Sequence, residues 1–121
     1  MAFPVSEDKI IEAETALGRR LPDYLRSRLQ KLNGGEIALA DDIWMLHPVR
    51  DNSDRKRLSR TSNDIILETK TARGWRHFPT DGIALASNGC GDHLVLVSES
   101  DDVNFWDHET GTLSPIIVEW S

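Results

Sequence analysis

The sequence predicts an α+β domain: an N-terminal helical pair packed on a mostly antiparallel sheet built largely from the C-terminal half. Three observations predict it. Apolar residues at helical spacing crowd the start of the chain, as Ile10, Ala13 and Leu17 and then Leu25, Leu29 and Leu32. From Ile83 onward, short apolar runs are separated by turn residues such as Asn88-Gly89, Gly91-Asp92 and Thr110-Gly111. Connections that short join antiparallel neighbours, and helices followed by strands make an α+β arrangement.

Ser6 is a good N-cap, Glu7 and Asp8 follow where the helix dipole favours acids, and Val5 and Ile10 stand at the two positions of a hydrophobic staple. The first helix is therefore expected over Glu7–Leu17, with Gly18 as its left-handed stop. Pro22 suits the first position of a second helix, and Asn33-Gly34-Gly35 ends it. Arg19, Arg20, Arg26 and Arg28 are expected to face solvent. Two strand segments follow, Glu36 to Ala40 and Ile43 to Leu46, meeting at Asp41-Asp42, with Pro48 beyond the second. Arg50 to Arg60 is charged and poor in large apolar residues, so it is expected to be an exposed, mobile loop. Ser62 or Asn63 would cap a third helix running to about Ala72, with Ile65, Ile66 and Thr69 inward. Strands are then expected over Ile83 to Ala86, His93 to Ser98, Val103 to His108 and Leu113 to Val118. Leu94 to Val97 is apolar without alternation, the mark of a central strand covered on both faces.

At 121 residues the chain fits one domain over 1–121. Nothing approaches the roughly 18 consecutive apolar residues of a membrane span, and the N-terminus lacks the basic and apolar regions of a signal peptide. A single cysteine, Cys90, allows no internal disulfide and agrees with a reducing compartment, so the cytoplasm is the expected location. The net charge of −6 is unevenly spread: residues 50–76 carry eight basic groups against four acidic ones, whereas residues 77–121 carry eight acids and no Lys or Arg. Such a segment repels nucleic acid and attracts a basic protein surface, although acidity can also serve solubility alone. Arg55-Lys56-Arg57 lacks the interleaved aromatics of a nucleic-acid site, and the pI of about 5.1 opposes one.

Metal-ligand types gather at Cys90, Asp92 and His93, at Asp107-His108 and at His77. Adjacent strand residues point to opposite faces, so Asp92 with His93, or Asp107 with His108, converge on one ion only if a turn twists them. The plainer reading has Asp92 closing its turn and Cys90 packing as a small apolar group. No phosphate loop, nucleophile elbow or helical His-Glu pair is present, so no catalytic residue, metal or cofactor is expected. The candidate partner-binding set is Asp101, Asp102, Asp107 and Glu109, with Trp106 and Trp44 as aromatic anchors or else core residues. Trp75 is expected to cover the sheet edge.

Three motifs in this order resemble the SUKH superfamily in its SMI/KNR-type branch. They are the helix pair from Ile11-Glu12-Ala13-Glu14 through Leu17-Gly18, Leu21-Pro22-Asp23-Tyr24 and Leu32-Asn33-Gly34-Gly35; the hairpin Ile83-Ala84-Leu85-Ala86 with Asn88-Gly89-Cys90-Gly91-Asp92; and Val103 to Glu109, with its aromatic-Asp-His-Glu step. Together they cover most of the chain, apart from residues 51–60. The spacing after Pro22 departs from the family pattern by about one residue. The resemblance implies a non-enzymatic protein that binds and neutralises a cognate bacterial toxin, polymorphic or contact-dependent, by stoichiometric contact. Charge makes a basic nuclease domain the fitting toxin. The alternatives are a regulatory scaffold without a toxin and a small metal-dependent enzyme.

Overall fold

The computed structural model describes residues 3–39 and 42–120. The first helix, α1, is Glu7–Leu17, as its end signals predict. Val5 and Ile10 are both buried, completing the staple, and Gly18 takes φ 81° while its N–H reaches the Glu14 carbonyl. Ser6 holds extended backbone but makes no side-chain cap. The second helix, α2, is Asp23–Lys31, so Pro22 is the last extended residue before it rather than its first helical one.

Leu25 and Leu29 are fully buried, whereas Leu32, expected on the same stripe, falls beyond the helix and is 45% exposed. Three of the four arginines also depart from expectation. Arg28 is buried, and its guanidinium donates to the carbonyls of Leu32 and Gly34. The last carbonyls of a helix need donors, and a long cationic side chain in the final turn can fold back to supply them. Arg26 ties α2 to α1 through Glu14 at 3.1 Å and Glu7 at 3.2 Å. Arg19 reaches the Ser98 and Ser100 carbonyls and Asp101. Only Arg20, paired with Asp23, behaves as an exposed surface group.

Among the described residues six strands form one antiparallel sheet in chain order: β1 Glu36–Leu39, β2 Asp42–Leu46, β3 Ile83–Ser87, β4 His93–Leu96, β5 Asn104–Trp106 and β6 Leu113–Pro115. Every expected strand exists, and the last three are shorter than their apolar runs suggest. The turn expected at Asp41 lies outside the described residues.

Between β2 and β3 the chain forms two helices, α3 Arg55–Arg60 and α4 Ile65–Ala72. The helix α3 replaces the expected open loop. Asp54 caps it through the Arg57 N–H, and Arg57 stacks its guanidinium 4.6 Å from the Phe3 ring centre. The cap of α4 is Asp64, which accepts from Ile66 and Leu67, not Ser62 or Asn63.

Register assigns the two faces of the sheet. Ile37, Trp44, Leu46, Ala86, Leu94 and Phe105 line one face, where they meet Ile10, Ala13, Leu25 and Leu29 of the N-terminal helices. Met45, Ser87, His93, Trp106 and Leu113 line the other. There Ala72 and Phe78 pack against Ala84, Val95 and Trp106 in a second, smaller core. Strand β4 lies between the two cores and is buried throughout, as its unbroken apolar run predicts. The second cover stops at β3, leaving Ile43 59% and Met45 47% exposed.

One close approach locks the second core. The β5–β6 turn meets the loop after α4 at Gly111, φ 75°, where an added Cβ would stand 2.5 Å from the His77 Cβ. His77 itself holds φ 68°, and its carbonyl accepts the Trp106 indole N–H at 3.1 Å. Gly111→Ala therefore combines a disfavoured backbone with overpacking and is expected to lower the unfolding free energy by about 2 kcal/mol, read from the urea midpoint.

Among the described residues no helix is long and apolar enough to cross a membrane.

Candidate functional site

Beside the second core, at the end of β5, lies an open cleft of about 290 Å³ walled by Trp75, Arg76, Gly91, Trp106 and His108. Local chemistry builds it. Trp75 follows the last turn of α4 directly, its N–H donating to the Ala72 carbonyl. Its ring lies 6.1 Å from that of Trp106 at 17°, and 5.0 Å from that of His93. Phe78 meets Trp106 edge-on at 5.1 Å. Trp106 is 1% exposed, whereas Trp75 is 38% exposed, so Trp75 is the indole that the cleft presents to solvent.

The opposite wall is a charged cluster. Asn88 and Gly89 (φ 81°) form the hairpin turn, and the Asn88 amide donates to Asp92. Gly91, φ 100°, lets the His108 ring approach to 3.0 Å of where a Cβ would stand. Asp92 then accepts from both the His108 backbone N–H and its ring Nδ1, the latter at 2.7 Å. Asp107 accepts the N–H groups of Glu109 and Thr110, turning the chain immediately after β5.

That turn is why Asp92, Asp107 and His108 converge: one ligand atom from each lies within 4.8 Å of the others. Strand alternation kept Asp107 and His108 apart in the sequence reading, but β5 has already ended at Trp106. Here His108 and Asp92 compensate each other. Burial would raise the Asp92 carboxyl, but the His108 ring and backbone and the Asn88 amide outweigh it and hold it low, while Asp92 raises His108. Cys90 is exposed, and so does not pack as a small apolar group. His77 contributes its backbone, and His93 is buried in the aromatic cluster.

The six residues expected to bind a partner do not form one patch. Trp44, 2% exposed, packs edge-on against Phe105 within the larger core, and Trp106 belongs to the smaller one. Of the two roles open to them, anchor or core, both take the core one, because each lies on a covered face of the sheet. Asp101 and Asp102 precede β5 whereas Asp107 and Glu109 follow it. At about 3.3 Å per extended residue this separates the pairs by on the order of 15 Å. Asp101 is also engaged by Arg19 at 2.8 Å. Trp75, expected to cover the sheet edge, instead stacks on Trp106 and walls the cleft, a role that sequence reasoning missed; the only available signal was its position just beyond a helix end.

Two histidines are buried side by side, one of them, His93, packed against Trp75. His47 and His93, both 3% exposed, stand with ring centres 5.6 Å apart. His47 Nδ1 donates to the Ala84 carbonyl and His93 Nδ1 to that of Gly91. Burial pushes both pKa values below the usual imidazole value, the carbonyls offsetting it in part. The unfolded chain therefore takes up protons below about pH 6.5 that the folded one refuses, and stability falls as pH drops through that value. His108 acts oppositely: its raised pKa contributes stability below about pH 6.5 that is lost as pH rises through the folded value. The melting midpoint is expected to be lower at pH 5 than at pH 7.5, and the drop larger in His108→Gln. A flat profile in that variant would contradict the neutral buried pair.

No curated protein matches this sequence. The model of the SMI1 / KNR4 family (SUKH-1) matches residues 4–120. That span takes in both N-terminal helices, the six-stranded sheet and the cleft, and the chain belongs to the SMI1 / KNR4 family (SUKH-1), a family associated with immunity proteins.

Proposed function

We propose that this protein is an immunity protein that binds a cognate bacterial toxin, polymorphic or contact-dependent, in a stoichiometric complex and blocks it without turnover. The family match over residues 4–120 carries the reading. The use of interior polar groups supports it: Arg28, Asn33, His47 and Thr69 all spend their hydrogen bonds on backbone. The charge distribution points to a basic toxin such as a nuclease domain, since residues 77–121 contain no Lys or Arg. We place the contact at the end of β5 that carries Asp107 and Glu109 beside Trp75, with Asp101 and Asp102 adding to long-range attraction. The protein acts in the cytoplasm in this reading and needs no cofactor.

The test is co-expression with the product of the adjacent upstream reading frame, where this reading expects the toxin. Rescue of growth and a complex of fixed stoichiometry from the purified pair are expected. The association rate should fall at least tenfold between 50 and 500 mM salt, because steering is screened over roughly 8 Å near physiological ionic strength. Association indifferent to salt would remove the carboxylates from the contact. Binding without rescue would point to a regulatory scaffold, and catalytic turnover of a small molecule would refute the proposal.

A further inference from the structure

Resting on the immunity reading, we infer that the cleft walled by Trp75, Trp106 and His108 receives a cationic side chain, arginine or lysine, presented by the partner protein, with the exposed indole of Trp75 as its platform.

Shape and charge both favour this occupant. Trp75 is braced by Trp106 at 6.1 Å and His93 at 5.0 Å, so its orientation is set before anything binds. A large aromatic held rigid yet 38% exposed meets a ligand at little cost in side-chain entropy. Its π-face attracts cations, and a guanidinium can stack on it as well. The backbone beneath is tied down, since the left-handed His77 is fixed by the Trp106 indole and by Gly111. The cleft wall itself carries Arg76 and His108, and the carboxylates of Asp92, Asp107 and Glu109 stand beside His108. The excess is therefore negative whether His108 is charged or neutral. A second copy of this chain would bring like charges together, its net charge being −6.

The experiment uses the full chain and needs no toxin. Hexa-arginine is titrated into it while the tryptophan indole N–H resonances are followed by NMR, with hexaglutamine as the neutral control. A saturable shift of the Trp75 and Trp106 signals is expected, with the Trp120 signal unmoved. Apparent affinity should fall at least tenfold in Trp75→Ala and, separately, in Asp107→Asn/Glu109→Gln. The double variant keeps the acceptor that closes the turn, so it controls for loss of fold.

Shifts matched by hexaglutamine, no shift at all, or affinities unchanged in both variants would overturn the inference. So would broadening that grows with protein concentration alone, which marks self-association. Any of these leaves the immunity reading to be judged by the rescue experiment. Failure of rescue with the arginine response intact would instead retain the cleft as a cation site and discard the toxin.

Discussion

Trp106→Ala is expected to lower the unfolding free energy by about 4 kcal/mol, whereas Trp75→Ala, a few ångströms away, should lower it by about 1 kcal/mol. The two indoles face each other across 6.1 Å but belong to different environments. Trp106 is 1% exposed, and its ring fills the space among Phe78, His93 and Trp75 on the second face of the sheet. Truncation leaves a large void there and frees the His77 carbonyl from its only side-chain donor among the described residues. That carbonyl belongs to a residue with φ 68°, so the loop loses the contact that holds it in a disfavoured conformation. With total stabilities commonly between about 5 and 15 kcal/mol, the variant would retain little margin. Denaturant unfolding with both variants checks this, and equal losses would show that Trp106 is not the core member of the pair.

Asn33→Ala is expected to lower the unfolding free energy by about 3 kcal/mol, although it removes only a small polar side chain. Asn33 is 5% exposed, and its amide forms two hydrogen bonds to a single residue: Nδ2 donates to the Val49 carbonyl and Oδ1 accepts the Val49 N–H, each at 2.7 Å. Alanine would leave both Val49 groups buried without partners, and each orphan costs about 1–3 kcal/mol. The pair works like one rung of a β-ladder, joining the end of α2 to the chain that leaves β2. The Val49 amide should exchange with solvent faster in the variant by at least tenfold. Protection matching wild type would mean that water replaces the side chain without loss.

Local signals were legible where local chemistry decides. Glu7–Leu17 is bracketed by a staple, an acidic first turn and a glycine stop, and the structure keeps those limits. The apolar run at Leu94 announced a strand buried on both faces, and β4 is one. Tertiary contacts hid the rest. Arg55–Arg60 shows no apolar stripe, yet it is helical because Asp54 caps it and the Phe3 ring receives its cations. Asn33 read only as a helix stop, since nothing nearby reveals a partner at Val49. The acids of residues 101–109 are close in sequence, but a short strand between them carries the two pairs to opposite ends. Trp106 and Trp44 could not be assigned to core or surface while the cover on each sheet face was unknown.

The sheet contains a seam. Neighbouring strands are linked by short turns such as residues 88–92, except between β2 and β3, where residues 47–82 intervene. Closing the longer loop costs about 1.7 kcal/mol more in chain entropy than closing the short one. Two residue pairs, Met45 with Ser87 and Leu46 with Ala86, join those strands in register, and His47 extends the junction by donating its N–H to the Leu85 carbonyl. Loop entropy therefore favours early assembly of the C-terminal meander from sequence neighbours, with the β1–β2 hairpin joining it once residues 47–82 are in place.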